Sequence, residues 1–151
     1  MEANADTGAT LNLCFRSASA GDAALLAVMN QQLIRDEQHR NSMKLAELEQ
    51  RMREWLESDY EAVICEAGAE TAGYALFRAE PEWIYLRQFF VREQHRRKGV
   101  GRRMFRHLES QWKARAKRIR LEVLVGNDRA IAFWHAVGLR DYCLTLEADL
   151  D

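Results

Sequence analysis

The sequence is poor in the features that would place it outside the ordinary globular class. Its 151 residues include one proline, Pro81, and three cysteines, Cys14, Cys65 and Cys143. The cysteines are odd in number, far apart and free of any CxxC or Cys/His spacing, so no disulfide framework or zinc site is expected. They read as reduced, buried thiols of a cytoplasmic protein, with Cys65 and Cys143 in apolar, strand-like runs that favour packing over chemistry. No apolar run approaches the ~18 residues needed to cross a membrane. The first ten residues, MEANADTGAT, lack the apolar core of a signal peptide and read as a disordered tail. Repeats, low-complexity stretches and linkers are missing too, which leaves residues 11–151 as one domain.

The net charge of −1 gives no hint of a polyanionic partner, but its distribution is uneven. Residues 1–80 carry 7 Lys/Arg against 14 Asp/Glu; residues 81–151 carry 15 against 9. Such a split is expected where one half meets an anionic group, or where two unequal surfaces are simply solvated.

Periodicity supplies the elements. LNLCFR (11–16) reads as a strand. Ser19 and Asp22 have capping-box spacing, and Leu25, Leu26, Met29, Leu33 and Ile34 then form a helical stripe over about 20–35. A second helix is expected over 43–57. AVICEA and TAGYALFRA form a hairpin around Gly68, followed by the aromatic and β-branched strand WIYLRQFFV (83–91). Val100, Met104, Phe105, Leu108 and Trp112 mark an amphipathic helix over 100–115, then come a strand over 118–125, a short helix over 128–137 closed by Gly138, and a last strand over 141–148. An antiparallel hairpin combined with a strand–helix–strand crossover predicts an α/β (α+β) fold with a mixed, mostly antiparallel sheet and helices on both faces.

The stretch HRRKGVGRR (95–103) packs six basic side chains and two glycines into the junction between WIYLRQFFV and the following helix. A helix N-terminus offers unpaired N–H groups and the positive end of the macrodipole, and glycine lets a ligand approach the backbone. This is a phosphate cradle in outline. It lacks GxxxxGK[ST], and position 104 is methionine, so neither a Walker A loop nor a GxGxxG dinucleotide fingerprint is present.

Arg96–Gly101 resembles in full the [QR]-x-x-G-x-[GA] acyl-CoA loop of the GNAT (Gcn5-related N-acetyltransferase) family. NDRAIAFWHAVGL (127–139) is similar to that family's second signature, and AETAGYALFRA to its Gly-Tyr strand; the likeness spans about 140 residues. The resemblance implies acetyl-CoA, and no metal, in a gap where strands 84–91 and 118–125 splay apart. The backbone of Phe89, Phe90 and Val91 would pair with the pantetheine arm. Arg96, Arg97, Lys98, Gly99, Val100, Gly101 and Arg102 would hold the pyrophosphate. Asn127, Ala130 and Phe133 would line the rest of the cofactor.

The implied chemistry is amine attack on a thioester. An alkylammonium must lose a proton first, which requires a base. Glu122, five residues before Asn127, is the base candidate; the competing reading pairs it with Arg120 or Arg87. Where relatives carry a tyrosine acid, this chain has Trp134, whose indole N–H can donate a hydrogen bond but is no usable acid. Trp134 therefore shapes the pocket or donates a hydrogen bond, and Tyr85, Tyr142, His135 or water could protonate the thiolate. The acceptor would be a primary amine of a small molecule or peptide, with Asp36, Glu37, Arg87 and Gln88 as contact candidates. The missing tyrosine leaves open a catalytically silent acyl-CoA-binding domain. No nucleic-acid or membrane partner is expected, and a homodimer stays open because many relatives dimerise.

Overall fold

The computed structural model describes residues 11–151; the expected tail, residues 1–10, lies outside the described residues. Five strands and four α-helices follow one another as β1 (Leu13–Ser17), α1 (Ala23–Asp36), α2 (Leu45–Leu56), β2 (Tyr60–Ala67), β3 (Glu70–Ala79), β4 (Trp83–Val91), α3 (Val100–Trp112), β5 (Arg118–Arg120) and α4 (Asp128–Ala136). The strands lie in the sheet in chain order, antiparallel from β1 to β4, with β5 parallel to β4. The mixed sheet expected from the hairpin and the crossover is what forms. Ahead of α1 a short 3-10 turn over Ala20–Asp22 is fixed by Ser19, whose N–H donates to Asp22 Oδ2 at 2.9 Å.

Two cores flank the sheet. On one face α1 and α2 bury Leu26, Met29 and Met52 against Ile64, Tyr74, Leu76 and Phe90. On the other, Val100, Met104, Phe105 and Leu108 of α3 and Trp134 of α4 pack on Val63, Ala75, Phe77, Ile84 and Leu86. Two backbone features set the geometry of β3 and β4. Gly73 faces the Phe90 carbonyl so closely that a Cβ there would lie 2.1 Å from its oxygen. Further along, Leu76 opposes Gln88 and Phe77 opposes Leu86, which leaves Arg87 as an extra, bulged residue. A bulge shifts the alternation by one. Ile84 and Leu86 therefore share the α3/α4 face with Phe89 and Val91, while Tyr85 and Phe90 share the α1/α2 face.

Three expectations need correction. The strand expected over 118–125 is paired only through Trp83–Arg118, Ile84–Ile119 and Tyr85–Arg120, because beyond Arg120 it diverges from β4. Residues 141–148 form no strand: their alternation specifies two faces, but no neighbouring strand among the described residues supplies hydrogen bonds. Cys143 is accordingly exposed, as is Cys14; only Cys65 is buried, its thiol pushed up to about 11 chiefly by burial.

Candidate active site

The divergence of β4 and β5 makes the site. Past Tyr85, β4 runs on for six residues with no strand beside it on that edge among the described residues. Its N–H and C=O groups there can accept an added strand-like ligand. The edge leads directly into the basic junction. Arg97 and Gly99 are left-handed, with φ of 61° and 75°, and Gly99 caps α3. The N–H groups of residues 97–102 make no backbone hydrogen bond among the described residues, so they stand free at the positive end of α3. A Cβ on Gly99 would meet nothing, so that position is open to a ligand. Gly101 instead faces α4, where a Cβ would come within 3.3 Å of Phe133.

The basic residues divide. Arg97, Lys98 and Arg102 form no ion pair among the described residues. Arg96 is already engaged: its Nε donates to the Val91 carbonyl at 2.8 Å, its other nitrogen meets Asp36 of α1, and the guanidinium lies over Phe90. It ties the end of β4 to the end of α1. His95, 7 % exposed, fastens the same junction to β3 through Glu70 at 3.0 Å, a contact that nothing in the sequence pattern announces.

At the far side of the gap, Asn127 caps α4 by accepting from the Ala130 N–H at 3.2 Å. Asn127 also lines the cleft, and its Nδ2 makes no hydrogen bond among the described residues. Phe133 stacks on Phe89 with ring centroids 5.7 Å apart, and Val91 lies beside Gly101. Phe90 turns the other way, 3 % exposed among α1 and α2 side chains, so only its backbone reaches the gap. Trp134 is 8 % exposed and edges onto Phe89, Phe105 and Phe133 within the α3/α4 core. Of the two roles open to it, packing beneath the gap is the one this position fits.

Glu122 is exposed and pairs with neither Arg120 nor Arg87. Its contact is Tyr85, whose hydroxyl donates to Glu122 Oε1 at 3.4 Å. Burial, and then the Glu122 charge, hold that hydroxyl above its ordinary value. Among the proposed proton donors Tyr85 is thus beside Glu122, whereas His135 pairs with Asp141 and Tyr142 is 76 % exposed against Arg120.

Asp36, Glu37 and Gln38 face Leu124, Gly126 and Asn127 across a cleft of about 360 Å³. Glu37 is half-buried and its carboxyl is raised above the usual range, first by burial and then by Asp36; it has no ion-pair partner among the described residues. Gln88 accepts from the buried Tyr74 hydroxyl at 2.8 Å. Arg87 stacks on Trp55 and takes the Tyr60 hydroxyl as acceptor at 3.3 Å. Arg51 covers Trp55 as well, and burial together with Arg87 lowers its pKa. Trp55, Tyr60 and Arg51 are site neighbours that the sequence reading passed over; their places on the inner faces of α2 and β2 are the only signal they carry.

Comparison with known proteins agrees with the fold. The chain belongs to the acetyltransferase (GNAT) family, whose model matches residues 28–139. Among curated proteins none is a significant match. The fold is similar to that of a possible acetyltransferase from Clostridium difficile 630 (TM-score 0.78, 15% identity, 92% of this chain and 99% of that one). It is also similar to a ribosomal-protein-alanine N-acetyltransferase from Brucella melitensis biovar Abortus 2308 (TM-score 0.73, 15% identity, 91% and 100%). A third solved neighbour, the aminoglycoside N-acetyltransferase AAC(6')-Iy in complex with CoA, has a TM-score of 0.76 at 12% identity over 93% and 95% of the two chains.

Proposed function

We propose that the protein transfers an acetyl group from acetyl-CoA to a primary amine of a small molecule or peptide, by direct attack in a ternary complex. The observation that carries this reading is one continuous surface: the unpaired edge of β4 leads into the free N–H groups of residues 97–102, under the open Gly99. That surface fits the cosubstrate. Backbone groups at Phe89–Val91 would hold its extended arm, the 97–102 amides with Arg97, Lys98 and Arg102 its phosphates, and Asn127, Ala130 and Phe133 the opposite wall. Arg96 supports the cradle by fixing Val91. Acetyl-CoA supplies the activated acyl group; the chain's residues orient the amine and manage its proton.

Glu122 is the proposed base. An exposed carboxylate at the mouth of the gap can take the ammonium proton directly or through water, and Tyr85 orients it. Trp134 supports the floor through Phe89 and Phe133. Asp36, Glu37, Arg87 and Gln88 line the acceptor side. Glu37, a half-buried carboxylate without a cation, favours a cationic acceptor. The silent acyl-CoA-binding reading is supported by the tryptophan in the acid position and is separated by turnover.

The experiment is CoA titration calorimetry followed by thiol release across polyamines, amino acids, aminoglycosides and peptides. Acetyl-CoA-dependent thiol release with at least one amine is expected, and Gly99→Asp, which places a side chain and a negative charge at the cradle, should weaken CoA binding at least ~100-fold. CoA binding without any turnover selects the silent domain. Undiminished CoA affinity in Gly99→Asp refutes the cradle.

A further inference from the structure

Two arginines on the α1/α2 face of the sheet converge on one ring and meet no acid. Arg51 of α2 and Arg87, the bulged residue of β4, hold their guanidinium carbons 4.4 and 4.7 Å from the centre of Trp55. Arg87 donates to the Tyr60 hydroxyl at 3.3 Å. Arg51 donates from Nη2 to Asn30 Oδ1 at 3.1 Å, its one hydrogen bond among the described residues. Asn30 is itself 1 % exposed, and Arg51 Nε is buried without a partner. An unpaired buried donor is unfavourable, and so are two like charges beside one ring. Acids stand within helical reach of Arg51, at Glu47 and Glu54. Yet Glu47 accepts from the Lys44 N–H at 3.4 Å and Glu54 from Gln50 at 3.1 Å. Arg78, over the Tyr60 and Tyr85 rings of the same cluster, has its own acid in Glu80 at 2.7 Å. Arg51 and Arg87 form no ion pair among the described residues. Two such fork-shaped donors against an aromatic surface suit a planar oxyanion.

The pair stands between groups already placed at the acceptor side. Burial and the Glu122 charge raise the Tyr85 hydroxyl and Arg87 opposes them, so Arg87 acts on the hydroxyl that touches Glu122. Burial, then Glu37, push the Tyr74 hydroxyl well up and Arg51 opposes them, so Arg51 and Glu37 flank one group. We propose, resting on the acetyl-transfer reading above, that Arg51 and Arg87 bind a carboxylate of the acceptor, which makes the substrate class an amino carboxylate held with its amine toward Glu122. Charge selects this occupant. Two guanidinium charges against the one carboxylate of Glu37 leave a single positive charge to balance. A carboxylate carries that one charge, whereas a phosphate monoester, with about 1.5 to 2 negative charges at neutral pH, overshoots it. A polyamine brings only cations to a pair that already lacks an anion. An acceptor with both an ammonium and a carboxylate suits Glu37 and the arginines together, and the Trp55 ring offers its carbon stem a flat apolar surface.

The test is acetyl-CoA-dependent thiol release on matched pairs, each amine offered as its free acid and as its carboxamide: amino acids, β-alanine and short peptides. The kcat/KM should favour the acids at least ~10-fold, since a site built for a charged group rejects the analogue lacking it. In Arg51→Met and Arg87→Met, checked for folding by circular dichroism, that ratio should fall toward one. Arg51→Lys, which restores the charge without the fork, should recover part of it. Equal rates for acid and amide in the wild type overturn the proposal, as does a ratio unchanged in both folded Met variants. Phosphoethanolamine outrunning β-alanine overturns the carboxylate in favour of phosphate. Absence of turnover with every amine refutes acetyl transfer rather than the subsite. The subsite is then decided by calorimetry of N-acetyl amino acids and their amides on the CoA complex: tighter binding of the acids supports it, and equal binding overturns it.

Discussion

Glu37 shows how a single residue's position becomes a measurable property. Half-buried beside Asp36, its carboxyl is raised in the folded protein above the usual 4.5. The unfolded chain therefore releases that proton first, and folding opposes ionisation. The penalty is absent below the unfolded pKa and grows as pH rises through the folded one. Glu37→Gln should raise the melting temperature at pH 7, with the gain vanishing toward pH 4; a gain that is constant with pH would assign it to packing. The same substitution should raise the KM for a cationic acceptor. Glu122 is tested by Glu122→Gln: the turnover number should fall ~10²–10⁴-fold with CoA affinity unchanged, the range for a lost general base. A variant retaining full turnover would return Glu122 to the solvated surface. Neither residue's environment was legible in sequence. Spacing from Asn127 suggested Glu122, but whether an arginine neutralised it depended on where Arg87 and Arg120 point, and the bulge and Trp83 decide that.

Among the elements, α4 is legible in the sequence as an amphipathic helix, with Asn127 ahead of it and Gly138 behind. What the stripe does not say is which aromatic faces the gap. The structure puts Phe133 beside Gly101 and buries Trp134 against Phe89 and Phe105. Trp134→Phe should accordingly lower the melting temperature by several degrees, since removing part of a buried aromatic costs about 1–3 kcal/mol, while the turnover number changes less than ~3-fold. A collapse in turnover at unchanged acetyl-CoA affinity would mean that the indole takes part in the chemistry. β4 teaches the complementary lesson. WIYLRQFFV is unmistakably a strand, yet simple alternation would put Phe90 with Ile84 and Leu86. The extra residue at Arg87 reverses this, and it is a property of the β3–β4 pairing that neither strand carries alone.

On the scale of the whole molecule, the proposed cosubstrate surface joins parts far apart in sequence: the β4 edge, the α3 N-terminus, Asn127 and the end of α1. Hydrogen exchange measured with and without CoA should show slowing concentrated at residues 86–91 and 97–102, with the interior of β2 and β3 unchanged. Uniform slowing, or slowing confined to the basic face of α3 beyond the cradle (Arg103, Arg106), would point to nonspecific charge pairing instead.

The sequence by itself determined the order of the elements from β1 to α4, the apolar faces of the helices and the glycine-bearing basic junction, because these follow from local periodicity and from residue types that only certain backbones accept; the cosubstrate class entered through that junction's resemblance to the family's acyl-CoA loop. Tertiary structure decided the rest. It shortened β5, turned Arg96 to Val91 and Asp36, buried Trp134, left Glu37 without a cation, and kept 141–148 out of the sheet. Each of these depends on a partner at large sequence separation. A strand pattern can say which side chains want burial, but its hydrogen bonds belong to whichever edge comes to meet it.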